Sequence, residues 1–398
     1  MLRLIGVRDG ERGAIAMIVA MLFGFGVMIG LAALTIDVGN ISANRRVLQN
    51  GADAAVLSAV ADCAVGACPA PTDASLASLV NMNAATGVTQ AAKVSRVDNM
   101  LAVCGSDPMG KLDPCTALSS TPNLQECPQA TIPPGSKGYV RVYTETSDKL
   151  GNTILPYSFG AAIAGVRGAN QQTCAAAAWG SQGGGSVVPT AFSYCEWLSA
   201  THDGAVWPDK PPYTPPLPTT LTAFEVRILL SDSSVSGPPA CTTKLGHDLP
   251  GGFGWVSSSK DCKATVSELS WMDVDTGTNV ADNSCKTVIP SDLYKTIHIP
   301  VFDCLDPVGN FAMPPSLCPE TKVTGTHAWY HVKGFAAFYL TGWKLNGLTD
   351  QAPLVSANAC SGWQTCLYGW FFKDLVSIGE ISKEHSDDLG FNVLQLLG

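Results

Sequence analysis

Between Gly13 and Ile36 the chain reads GAIAMIVAMLFGFGVMIGLAALTI, 24 consecutive residues without a formal charge. At about 1.5 Å of rise per residue, a helix of that length crosses a hydrocarbon layer of about 30 Å with room for tilt. Lipid offers the backbone no partners, so a lone run of this kind must satisfy its N–H and C=O groups within a helix. A cleavable secretory signal has a shorter apolar core followed by a small-x-small site, and neither is present here. Gly26 and Gly30, like Ala16 and Ala20, form small-xxx-small pairs suited to close contact with another helix. Arg3, Arg8 and Arg12 precede the run, and Asp37, Arg45 and Arg46 follow it. That balance puts residues 1–12 in the cytoplasm.

Every cysteine comes after the apolar run: Cys63, Cys68, Cys104, Cys115, Cys127, Cys174, Cys195, Cys241, Cys262, Cys285, Cys304, Cys318, Cys360 and Cys366. An even number at wide spacing, without a CxxC pair, reads as a disulfide framework in an oxidising space; zinc modules would show close pairs. The chain beyond the helix is therefore expected outside the cytoplasm. Only 14% of residues are charged, against 39 glycines and 26 prolines, which suits an exported, loop-rich β protein. A formal charge of −9 argues against nucleic acid or anionic lipid as the main partner.

The helix is expected to continue to about Ala61, since Val38, Ile41, Leu48, Ala52, Ala55 and Ala59 recur at helical steps opposite a polar side. Three stretches here carry a family resemblance: Arg12-Gly13-Ala14, Ile36-Asp37-Val38-Gly39, and Arg45-Arg46-Val47-Leu48-Gln49-Asn50-Gly51-Ala52-Asp53-Ala54-Ala55. They resemble the N-terminal module of TadE/TadG-like proteins of bacterial tight-adherence (Flp-type) pilus assembly systems. The resemblance implies a pseudopilin-like α/β module over 37–180, a place in the cytoplasmic membrane, and partners in the bilayer and among pilus or secretion apparatus proteins. TadE-type pseudopilins resemble pilins in carrying a Glu five residues after the processed Gly, where Ile18 follows Gly13 here. The resemblance therefore points to a permanently anchored component.

Within 37–180, residues 73–87 and 154–165 are expected to be helices, and 94–104, 138–147 and 172–181 strands. In 138–147, Tyr139, Arg141, Tyr143 and Glu145 alternate with Val140, Val142 and Thr144. SQGGGSVVP, residues 181–189, reads as a Gly/Ser linker. A disulfide-stapled, mainly antiparallel β domain is expected over 190–398, with strands at 223–230, 295–303, 326–343, 366–376 and 391–397, making the chain α+β. In the longest, Ala328, Tyr330, Val332, Ala336, Phe338 and Leu340 are expected on one face, and His327, Trp329, His331 and Lys333 on the other.

Chemistry-bearing patterns are sparse. On a strand His327 and His331 lie about 13 Å apart, too far to share an ion, and HAWYH lacks a zinc protease's Glu. Asp232, Ser234 and Ser236 match the DxSxS start of a metal-ion-dependent adhesion site, but Gly237-Pro238-Pro239 stops the helix that site needs. His247 and Asp248 have no nucleophile motif beside them. No catalytic, cofactor-binding or metal residue is therefore expected. The reading is a non-enzymatic, membrane-anchored structural component of a pilus or related envelope apparatus; the alternative is an adhesin with a von Willebrand A-like metal site at Asp232, Ser234 and Ser236.

Overall fold

The computed structural model describes residues 9–69, 74–82, 90–94, 103–115, 131–148, 154–157, 159, 168–211, 217–229, 253–256, 261–275, 283–306, 327–377, 379–383 and 387–397. A long apolar helix is followed by a strand-rich, disulfide-bonded body, an α+β architecture. The helix, α1 (Asp9–Ala64), runs 56 residues without interruption, about 84 Å at helical rise. Then come α2 (Ala74–Met82), β1 (Gln90–Val94), β2 (Val103–Ser106), β3 (Gly138–Asp148), β4 (Ile154–Pro156), β5 (Gly168–Asn170) and β6 (Gln172–Val187). They are followed by β7 (Thr190–Ser193), α3 (Tyr194–Thr201), α4 (Thr219–Thr222), β8 (Val226–Leu229), β9 (Phe253–Val256), β10 (Ala264–Ser267) and β11 (Trp271–Asp275). The chain ends with α5 (Cys285–Ser291), β12 (Thr296–Asp306), β13 (His327–Lys344), β14 (Cys366–Phe372), β15 (Asp374–Val376), β16 (Glu380–Ile381) and β17 (Phe391–Leu397).

The first sheet has the order β1-β3-β6-β17-β15, with β2 beside β3 and both β10 and β16 on the far half of β6. The outer half of α1 lies on it. Leu48, Ala52, Ala55, Val56, Ala59, Val60 and Cys63 are buried against Val140, Val142, Ala175, Ala177 and Trp179. Alanine on both surfaces lets helix and sheet approach closely. Gly51 serves the same end against α2, where an added Cβ would come 3.1 Å from the Val80 carbonyl oxygen. Val38, expected on this buried face, is exposed.

The second sheet has the order β11-β9-β7-β12-β13-β14-β8, and β11 also pairs with β13, so five of these strands close into a ring. Its ladders are antiparallel except β7 with β12. One face shares a core with the first sheet's margin: Ala337, Tyr339, Trp370 and Phe372 meet Val187, Val266 and Phe391. The other is covered by α3 and α5 through Trp197, Leu198 and Ile289.

Three expectations fail locally. Residues 181–187 are not a linker but the second half of β6. The glycines are there for crowding: a Cβ on Gly183 would stand 3.0 Å from the Ser382 Cα, and one on Gly184 3.1 Å from the Val266 carbonyl oxygen. Residues 154–156 form strand β4 with β5, not a helix, and the rest of 154–165 lies largely outside the described residues. The single face expected for β13 is split. Lys333 on β13 and Asp303 on β12 are skipped in the pairing register, and such a bulge reverses the alternation. Tyr330 and Val332 therefore join the core shared by the sheets, whereas Ala336, Phe338 and Leu340 face α3.

Disulfides join Cys63 to Cys68 at the end of α1, Cys104 of β2 to Cys115, Cys262 to Cys285 at α5, and Cys360 to Cys366 at the start of β14. Cys174, Cys195 and Cys304 are disulfide-bonded too, and no described cysteine is free. Cys127, Cys241 and Cys318 lie outside the described residues.

Candidate membrane anchor and assembly surface

Most of the described inner half of α1 is exposed, although Ala33 is buried. Ile15, Leu22, Phe23, Phe25, Met28 and Leu34 are all more than half exposed. A water-facing helix that is apolar on every side would be costly, and the same surface is what a hydrocarbon layer accommodates. The 18-residue stretch that marks it as a candidate span contains no residue buried by the protein. Gly26 and Gly30 open to empty space among the described residues, with no atom within 4 Å of an added Cβ.

Asp37 marks the change of surroundings. It is 6% exposed, and its two carboxylate oxygens each accept from the Phe159 N–H at 3.2 Å. Below it the described helix residues are mostly exposed, Ala33 excepted; from Leu48 onward one side is buried in the body. Gln49 donates to Asp53 at 2.9 Å and to the Cys174 carbonyl of β6 at 3.1 Å, tying helix to sheet. Gln49, Ala52 and Asp53 thus stand at the docking face, whereas Gly39, Arg45 and Asn50 are exposed. Arg12 and Gly13 lie within α1, their side-chain surroundings outside the described residues.

Other candidates resolve into structural roles. His331 Nδ1 donates to Asp303 Oδ1 at 2.7 Å, and the bulged Lys333 pairs with Asp303 and Asp387 while lying over the Tyr194 ring. No cluster of three or more metal-ligating side chains occurs among the described residues. Asp232, Ser234, Ser236, His247 and Asp248 lie outside them. The adhesin alternative has no support: β8, the strand before Asp232, pairs antiparallel with β14 at a sheet edge, whereas an adhesion-type metal site needs a doubly wound parallel sheet. Of the aromatics near the Cys360–Cys366 loop, Trp370, Phe371 and Phe372 are core, and Trp363 projects fully exposed from the loop tip.

Sequence reasoning missed the buried carboxylates. Glu225 accepts from the Thr341 hydroxyl and from the Leu354 and Val355 N–H groups at 2.9 and 2.7 Å. Asp374, where the chain crosses from β14 into the first sheet, pairs with Lys210 and with His298 Nε2 at 3.3 Å. Burial pushes the Asp374 carboxyl up, but the hydrogen bonds and charges of His298 and Lys210 outweigh it and hold the group below its usual range. No local pattern announces partners 76 and 164 residues away.

Among known families, the model of the Tad family, described as "Putative Flp pilus-assembly TadE/G-like", matches residues 13–62. That segment is the whole exposed apolar stretch together with the helical turns that dock on the first sheet. The protein's N-terminal region is thus similar to a TadE/G-like domain, and that likeness supports a pilus-assembly component. No curated protein and no solved structure matches the chain.

Proposed function

We propose that this protein is a non-enzymatic, single-pass membrane component of a bacterial Flp/Tad-type pilus or related envelope apparatus. Its N-terminus is cytoplasmic, α1 crosses the inner membrane, and the disulfide-bonded body stands outside. The observation that carries this reading is the coincidence of the TadE/G-like match with a mostly exposed apolar half-helix. Cysteines bonded throughout the described body fit an oxidising compartment. The partners are other apparatus proteins, met in the bilayer along a face containing Gly26 and Gly30 and outside it by the body. No cofactor, nucleic acid or small-molecule substrate enters this reading.

Deleting the gene should abolish surface pili and adherence, and the intact chain should restore both. Normal piliation in the deletion strain would contradict the assignment. Replacing Gly26 and Gly30 together by Leu should leave membrane insertion intact and weaken co-purification of apparatus proteins. Unchanged co-purification would remove the packing face.

A further inference from the structure

We propose that Lys137 and Asn392 are the partners of an intramolecular isopeptide bond, formed with loss of ammonia and assisted by Asp388. Lys137 immediately precedes β3, and Asn392 lies on β17. The two strands flank β6, where Asn392 is opposite Ser181 and the Lys137 N–H donates to the Trp179 carbonyl. Across that strand, Lys137 Nζ donates to Asn392 Oδ1 at 2.8 Å and pairs with Asp388 Oδ1 at 2.9 Å. The amine thus lies at hydrogen-bond distance from the carboxamide it would attack and from a carboxylate able to take its proton. Asn392 is buried and the Lys137 side chain nearly so, so water competes poorly for either.

A lysine is nucleophilic only when neutral. Burial pushes the Lys137 amine below its ordinary value, against the opposing pull of Asp388, and the charge of Lys373 presses the same way as burial.

The step needs no further reagent. Asp388 accepts one ammonium proton, and the Nζ lone pair forms a bond to Asn392 Cγ as the carbonyl electrons move onto Oδ1. Asp388 passes its proton to the amide nitrogen, and collapse breaks the C–N bond and expels ammonia. The second Nζ proton leaves through Asp388 to that ammonia. A lysine ammonium and a carboxamide become a secondary amide and an ammonium ion, with nothing oxidised or reduced. The product would tie the last strand to β3 and close a covalent loop containing the whole second sheet.

The test is the intact mass of the full chain, purified from membranes in detergent, then denatured and reduced. The expected mass is that of the sequence less one ammonia, with one peptide pair joined at Lys137 and Asn392 after digestion. Lys137→Arg keeps a cation beside Asp388 but is expected at the undiminished mass, as are Asn392→Ala and Asp388→Ala. Wild-type protein at full sequence mass, or ammonia loss without the joined peptides, would overturn the proposal. Ammonia loss persisting in Lys137→Arg would overturn it too, and persistence in Asp388→Ala would remove the role given to Asp388.

Discussion

Buried carboxylates fix parts of the body that apolar contact alone would leave free to slide. Glu225 gathers a hydroxyl and two backbone N–H groups from β13 and the loop beyond it, so its loss leaves several buried donors without an acceptor. Glu225→Ala is expected to cost about 3 kcal/mol, read by chemical denaturation of the purified protein. A cost under about 0.5 kcal/mol would mean that the loop is held by something else. Asp374 makes a pH prediction. Its folded-state pKa is depressed, so its contribution is present above the unfolded value of about 3.9 and is lost as pH falls through the folded value. Wild type should exceed Asp374→Asn in stability near neutrality, and the gap should close in acid. A gap constant with pH would contradict the pairing with Lys210 and His298. Trp363 supplies the contrast: exposed at a loop tip, its replacement by Ala should change stability by less than about 0.5 kcal/mol.

At the scale of elements, the glycines of β6 invert the usual meaning of a Gly/Ser run. Their missing side chains admit β10 and β16 against the strand. Gly183→Val should therefore lower the thermal midpoint by several degrees, whereas a true linker would tolerate the change. The apolar run of α1, the alternation of Val140 and Val142 on β3, and strand β17 were legible in the sequence because each depends on a local period. The role of Gly183 and Gly184 was not, since a composition signal cannot distinguish freedom from crowding. Nor was the split face of β13. Its reversal comes from bulges at Lys333 and Asp303, and Asp303 lies on another strand. Pro156, a residue that an α-helix interior accommodates poorly, sits in strand β4.

The whole molecule is a stack of α1 and α2, the first sheet, the second sheet, and α3 with α5, and the chain ends by returning to the first sheet through β15, β16 and β17. That return ties the segment expected as a separate C-terminal domain to the module that docks on the anchor. Removing residues 391–397 should abolish cooperative unfolding of the entire body rather than fray one strand. A truncated protein with an undiminished transition would show that the sheets are stable independently. The anchor was the most legible feature because lipid imposes a length and a composition. The body's partners leave no such mark, and that is where the family match, confined to residues 13–62, falls silent.

The central claim is the partition of one helix between lipid and protein. Alkaline carbonate extraction of cell membranes, combined with protease added from the outer face of spheroplasts, tests it most directly. The account predicts that the intact chain stays with the membrane pellet and that the protease removes the body, leaving a short membrane-bound N-terminal fragment. Release of the chain into the soluble fraction, or a body protected from external protease and digested only after lysis, would contradict it.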